Sequence, residues 1–167
     1  TQGDKAIDSL PKKIKQNERS VAEILAANMR KMIISERPNN PAYFDKMSDL
    51  LNHLLQEQKD GKIQYKELIK KLIEKRKEAR STIKTKYPAT IDTKGKQALY
   101  DNLGKDEILA LRVHETIKAN ARDGFRNMDS SGLRKMKALR RAVERVLQGV
   151  EVNIDDIMQL IVAQREY

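Results

Sequence analysis

The sequence contains no cysteine and no tryptophan. Without cysteine there is no disulfide frame, no thiolate nucleophile and no Cys-ligated zinc site, an absence that fits a cytoplasmic location. Aromatic residues are few, five Tyr and two Phe, and too dispersed to build a base-stacking platform. No apolar run approaches the roughly 20 residues needed to cross a bilayer, and no signal-peptide pattern occurs, so no membrane partner is expected. Strand-like alternation and repeats of fixed period are also missing. No GxxxxGK[ST] occurs, so the chain lacks the phosphate cradle of a P-loop motor.

What is present is charge and helical periodicity. The chain has 167 residues, 34 of them Lys or Arg against 24 Asp or Glu, for a formal charge of +10. That length suits one domain able to bury about 68–70% of its unfolded surface. It opens on Thr1 rather than methionine, which reads as a piece excised from something longer. Ile14, Val21, Leu25, Met32 and Ile33 outline a long first helix ending before Pro38. Tyr43, Phe44, Met47, Leu50, Leu51, Leu54 and Leu55 keep the three-and-four spacing of a core-facing stripe. Asn40 is placed to cap this second helix, with Pro41 at its first position. Asp60-Gly61 breaks the pattern, and a third helix resumes with Ile63, Leu68, Ile69, Leu72 and Ile73. The short connection predicts an antiparallel hairpin of the second and third helices.

Tyr87-Pro88 forces the chain out of the α region, and Ala89 to Thr93 reads as a linker with Asp92 or Thr93 as the next cap. A short helix through Ala98 and Leu99 stops at Gly104. A fifth, capped by Asp106, runs to Asp123-Gly124. Asn127 to Gly132 reads as a polar loop, a sixth helix spans about 133–147 with Gly149 as its stop, and a last one about 154–162. The expectation is an all-α fold of six to seven helices in one domain over 1–167, divisible at 87–93 into sub-bundles 1–87 and 93–167.

The first 91 residues carry eight of the ten surplus positive charges. On the third helix, Lys66, Lys70 and Lys77 share a strip beside the apolar face, with Glu67, Glu74 and Glu78 next to it. Mixed signs of this kind describe a solvated face, and the three lysines are a secondary candidate for phosphate or acidic-partner contact. The sixth helix differs. Met136, Leu139, Val143, Val146 and Leu147 point one way, while Arg134, Lys137, Arg141 and Arg145 point the other with Glu144 as the only nearby acid. Such a face costs a few tenths of a kcal/mol per like-charged i, i+4 pair. A strip built mainly from arginine suits phosphate or an acidic surface, since guanidinium donates in a bidentate fork. The alternative is that these stems cover apolar neighbours and favour the helix C-terminus.

No catalytic constellation emerges, and the chain reads as non-catalytic with no cofactor of its own. His53 and His114 sit in separate helices without ligand spacing and read as surface or edge histidines. Asp155-Asp156 opens a helix, where acids favour the dipole, so capping outranks metal binding. Asp123-Gly124-Phe125-Arg126 reads either as a functional loop or as a helix-ending turn with a packed aromatic.

Several stretches taken in order resemble a known family. Glu36-Arg37-Pro38-Asn39-Asn40-Pro41-Ala42-Tyr43-Phe44-Asp45-Lys46-Met47-Ser48-Asp49-Leu50-Leu51 is similar to a segment near the C-terminus of the R (restriction and motor) subunit of type I restriction–modification enzymes. So are Ala98-Leu99-Tyr100-Asp101-Asn102-Leu103-Gly104, the Asp123–Arg126 stretch and the closing Gln164-Arg165-Glu166-Tyr167. The resemblance covers roughly residues 20–167. Where the family commonly has tryptophan this chain has Phe125, which keeps an aromatic there. The resemblance implies a parent with an endonuclease domain and two RecA-like ATPase domains, using ATP and Mg²⁺ to translocate and cut DNA. It also implies partners: the modification and specificity subunits of a methyltransferase core, and double-stranded DNA. The present chain would be the helical C-terminal region, docking the motor onto that core and contacting DNA. The alternative is a helical module that binds protein only.

Overall fold

A computed structural model describes residues 17–80 and 86–167. Among the described residues the protein is all-α, with no strand. Seven helices follow in order: α1 Glu18–Glu36, α2 Pro41–Lys59, α3 Tyr65–Arg80, α4 Lys94–Asn102, α5 Glu107–Asn120, α6 Ser130–Val146 and α7 Ile154–Ala163, with a 3₁₀ turn at Arg37–Asn39. Ile14, expected in the first helix, lies outside the described residues.

The helix starts are set by short polar side chains that accept from otherwise unpaired N–H groups. Asn17 accepts from Ser20 N, Thr93 from Lys96 N, Asp106 from Leu109 N, Asp129 from Gly132 N and Asn153 from Asp156 N. Asn40 does the same for α2, accepting from Tyr43 N at 3.3 Å. Asp155 and Asp156 sit in the first turn of α7, where their charge meets the positive end of the helix.

The described chain forms two compact units, residues 17–37 with 44–80 and residues 38–43 with 86–167. In the first, α1 and α3 make the close helix–helix contact, and the α2–α3 pair expected as a hairpin does not. The buried stripe of α1 is Val21, Ala22, Ala26, Met29 and Ile33, rotated from the predicted one, with Leu25 and Met32 only half-buried. Ala22 and Ala26 permit close backbone approach, whereas α2 buries the bulkier Phe44, Met47, Leu51 and Leu54, which hold a neighbouring helix further off.

The second unit has one apolar core. Leu99, Ala110, Val113, Ile117, Leu139, Val143 and Ile161 are sealed from solvent, and Ile91, Phe125, Ile157 and Leu160 complete the cluster. Tyr87 packs against this core, so the residue expected to close the first sub-bundle belongs to the second unit, as do residues 38–43. Two boundaries differ from the sequence expectation. α5 stops at Asn120 instead of Asp123-Gly124, because the Asn120 side chain turns back onto the Thr116 carbonyl at 2.8 Å and competes with helix continuation. α6 begins at Ser130, so Ser130 to Gly132 are helical rather than loop; Asp129 draws them in through its 2.7 Å bond from Gly132 N.

Candidate functional site

The N-terminus of α6 is fixed by the Asp129 cap. At its other end the Leu147 N–H returns to Val143 O and Arg145 O, and Gly149 takes φ +80°, a conformation open to glycine. Between these stops Leu139 and Val143 are fully buried and fix the rotation of the helix. That rotation leaves Arg134, Lys137, Arg141 and Arg145 exposed on the opposite side. None of the four makes an ion pair or side-chain hydrogen bond among the described residues.

The acid beside the strip does not neutralise it. Glu144 accepts from Arg140 Nε at 2.9 Å, and the same guanidinium donates from Nη1 to Asp155 at 2.5 Å. Arg140 thereby links α6 to the first turn of α7, and the two carboxylates, Asp155 foremost, hold its pKa above the ordinary arginine value. Sequence reading missed Arg140, although its i, i+4 spacing to Glu144 is a recognisable pairing signal. The result is a run of four cations, unneutralised among the described residues, that spans twelve residues, about 16 Å of helix at 1.5 Å rise per residue. Such an array attracts a line of negative charge, and its arginines can fork onto phosphate or carboxylate oxygens.

The secondary lysines lie elsewhere. Lys66, Lys70 and Lys77 are exposed along α3 and line a shallow groove of about 300 Å³ with Ile69, Ile73 and Glu74. They belong to the first unit and the α6 strip to the second. Neighbouring charges on α3 are paired, Lys71 with Glu67 at 3.6 Å and Lys75 with Glu78 at 3.0 Å.

Of the stretches that carry the family resemblance, residues 38–43, 98–104, 123–126 and 164–167 lie in the second unit, whereas residues 36–37 and 44–51 lie in the first. Asp101 accepts from Asn40 Nδ2 at 2.8 Å and from the Tyr87 hydroxyl at 2.6 Å. Asn102 donates to Asn40 Oδ1 at 2.8 Å and accepts from Ala42 N at 3.1 Å. Gln164 donates to the Asn39 carbonyl, and Glu166 accepts from Gly95 N at 2.8 Å, at the first turn of α4. Phe125 is buried, with the Arg126 guanidinium 4.2 Å above its ring. Arg126 donates to Val162 O at 3.0 Å and to Gln164 O and Tyr167 O at 2.8 Å, satisfying carbonyls at and beyond the C-terminal end of α7. The Asp123–Arg126 stretch is thus a turn with a packed aromatic and a helix-capping arginine. Arg126→Ala should destabilise the protein by about 1–2 kcal/mol, the yield of charged hydrogen bonds at a largely solvated helix end. Urea unfolding checks this, and an unchanged midpoint would contradict it.

His114 corrects another expectation. It is buried, 5% exposed, with Nδ1 2.7 Å from the Tyr167 hydroxyl. Burial lowers its pKa, helped by Lys96 and Lys118 and opposed by Glu166 and Glu115; burial also raises that of Tyr167, keeping the phenol neutral. Because the unfolded chain binds the His114 proton more readily than the folded one, stability falls as pH drops below about 6.5, the unfolded value. Urea midpoints at pH 7.5 and 5.5 should therefore separate more for the parent chain than for His114→Gln. Equal separations would contradict this assignment. His53 is solvent-exposed and sits 2.9 Å from Glu57.

Among the described residues no group of three or more His, Asp or Glu is placed to hold a metal ion, and no helix is long and apolar enough to cross a membrane. Comparison of the chain with protein-family models, with curated proteins and with solved structures returns no match.

Proposed function

We propose that this chain is a non-catalytic helical module from the C-terminal region of a type I restriction enzyme motor subunit. Its work is to dock the motor onto the modification and specificity subunits of the methyltransferase core, and to hold DNA backbone through basic helices. ATP, Mg²⁺ and the cutting and pulling chemistry belong to the rest of the parent, in the cytoplasm. The observation that carries the DNA half is the unneutralised strip Arg134, Lys137, Arg141 and Arg145. Backbone contacts of this kind position a protein without reading sequence, which leaves sequence choice to the specificity subunit. The docking half rests on the ordered resemblance of four stretches.

The experiment is a pull-down of the 167-residue chain against the purified methyltransferase core, with and without duplex DNA, over a salt series. Retention on the core and on DNA supports the full proposal. Retention on the core alone supports a protein-binding module, and failure to bind the core removes the assignment to a motor subunit. ATP turnover by the purified chain would overturn its non-catalytic standing.

A further inference from the structure

The groove on α3 has a chemistry unlike that of the α6 strip. Its floor is Ile69 and Ile73, one helical turn apart and both half-buried. Lys66, Lys70 and Lys77 form a strip along one side of them, with Glu74 at its outer edge. Lys66 and Lys70 make no ion pair among the described residues. The flanking acids Glu67 and Glu78 are held by Lys71 and Lys75, so they do little to neutralise the rim.

We propose that this face of α3 is a docking site for an acidic amphipathic helix of a protein partner. Two aliphatic side chains spaced i, i+4 on the partner would cover Ile69 and Ile73, and carboxylates along one side of that pair would meet the lysines. The run from Lys66 to Lys77 is about 16 Å long, matching roughly three turns of such a helix. Duplex DNA is a poorer occupant, because phosphates gain nothing from covering Ile69 and Ile73. The contact is small, which makes it weak and reversible. This inference stands on the groove alone and does not depend on the parent or on the DNA-binding strip.

The test is amide chemical-shift mapping of the ¹⁵N-labelled full chain. One titrant is a synthetic peptide of leucine and glutamate with the leucines on one helical face. A second has the same composition scrambled so that the leucines ring the helix, and a third is duplex DNA. The proposal expects the amphipathic peptide to shift amides within residues 65–80 and to bind about tenfold more tightly than the scrambled one, the worth of one to two partly covered aliphatic side chains. Ile69→Ser with Ile73→Ser, and separately the exposed Lys66→Glu with Lys70→Glu, should each weaken that peptide by about the same factor while DNA binding persists. Equal binding of the two peptides, shifts centred outside residues 65–80, or indifference to the Lys66→Glu/Lys70→Glu pair would overturn it. Loss of DNA binding on Lys66→Glu/Lys70→Glu, with the peptide unaffected, would assign this face to phosphate instead and equally overturn it.

Discussion

Replacing Arg134, Arg141 and Arg145 together by glutamate should lower affinity for duplex DNA by about 10²- to 10³-fold at 0.1 M salt. Each phosphate contact releases close to 0.9 of a counterion, so three lost contacts remove nearly three powers of ten at that concentration. The loss should be the same for any duplex sequence, because contacts to the backbone carry no base information. The helix itself should survive, since the three side chains are exposed and without ion pairs among the described residues while Leu139 and Val143 hold the buried face. Circular dichroism with fluorescence anisotropy on two unrelated duplexes checks both statements. Unchanged affinity, or a loss confined to one sequence, would contradict the assignment of this face to phosphate.

Gly132→Ala should cost about 3 kcal/mol of stability, at the upper end of what overpacking does. Elsewhere in a helix this substitution gains close to 1 kcal/mol. Here the added methyl would stand 2.1 Å from the Asn127 carbonyl oxygen and 2.7 Å from its carbon, and backbone cannot swing aside as a side-chain tip can. Relief requires the 127–129 turn to move, which also pulls Asp129 from the Gly132 amide it caps at 2.7 Å. Urea unfolding reads the cost directly; a stabilised variant would mean that the turn gives way freely. Gly95 offers a contrast, because its nearest obstacle is the Glu166 carboxylate at 2.3 Å, the far end of a flexible side chain.

Helical periodicity made the all-α architecture legible, since seven apolar stripes interrupted by Asn, Asp, Gly and Pro leave little room for another fold. Caps were equally plain at Asn40 and Asp106, where a short polar residue precedes an apolar stripe, whereas Asp92 and Thr93 were both open as the cap that Thr93 supplies. Finer features depended on tertiary facts that no local pattern carries. The buried stripe of α1 runs through Ala22 and Ala26, and alanine looks neutral in a hydrophobicity reading until another backbone comes close. The extent of α5 turned on which way the Asn120 side chain bonds. His114 is buried against expectation and meets the Tyr167 hydroxyl, more than fifty residues away.

The basic face of α6 was legible because helical geometry alone collects Arg134, Lys137, Arg141 and Arg145. Its freedom from neutralisation was not, because that required Arg140 to take both Glu144 and Asp155, the second of them on another helix. The Asp123–Arg126 stretch shows the reverse. Its composition suited a functional loop or a helix-ending turn with a packed aromatic equally, and only the packing decides: Phe125 is core and Arg126 closes the end of α7.

The most direct test of a cationic attachment surface is the salt dependence of duplex DNA binding by the intact chain. Four phosphate contacts predict a slope of log K against log[salt] between about −3 and −4, so affinity should fall close to 100-fold between 50 and 200 mM salt. A flat dependence, or no binding at the lower salt, would contradict the account.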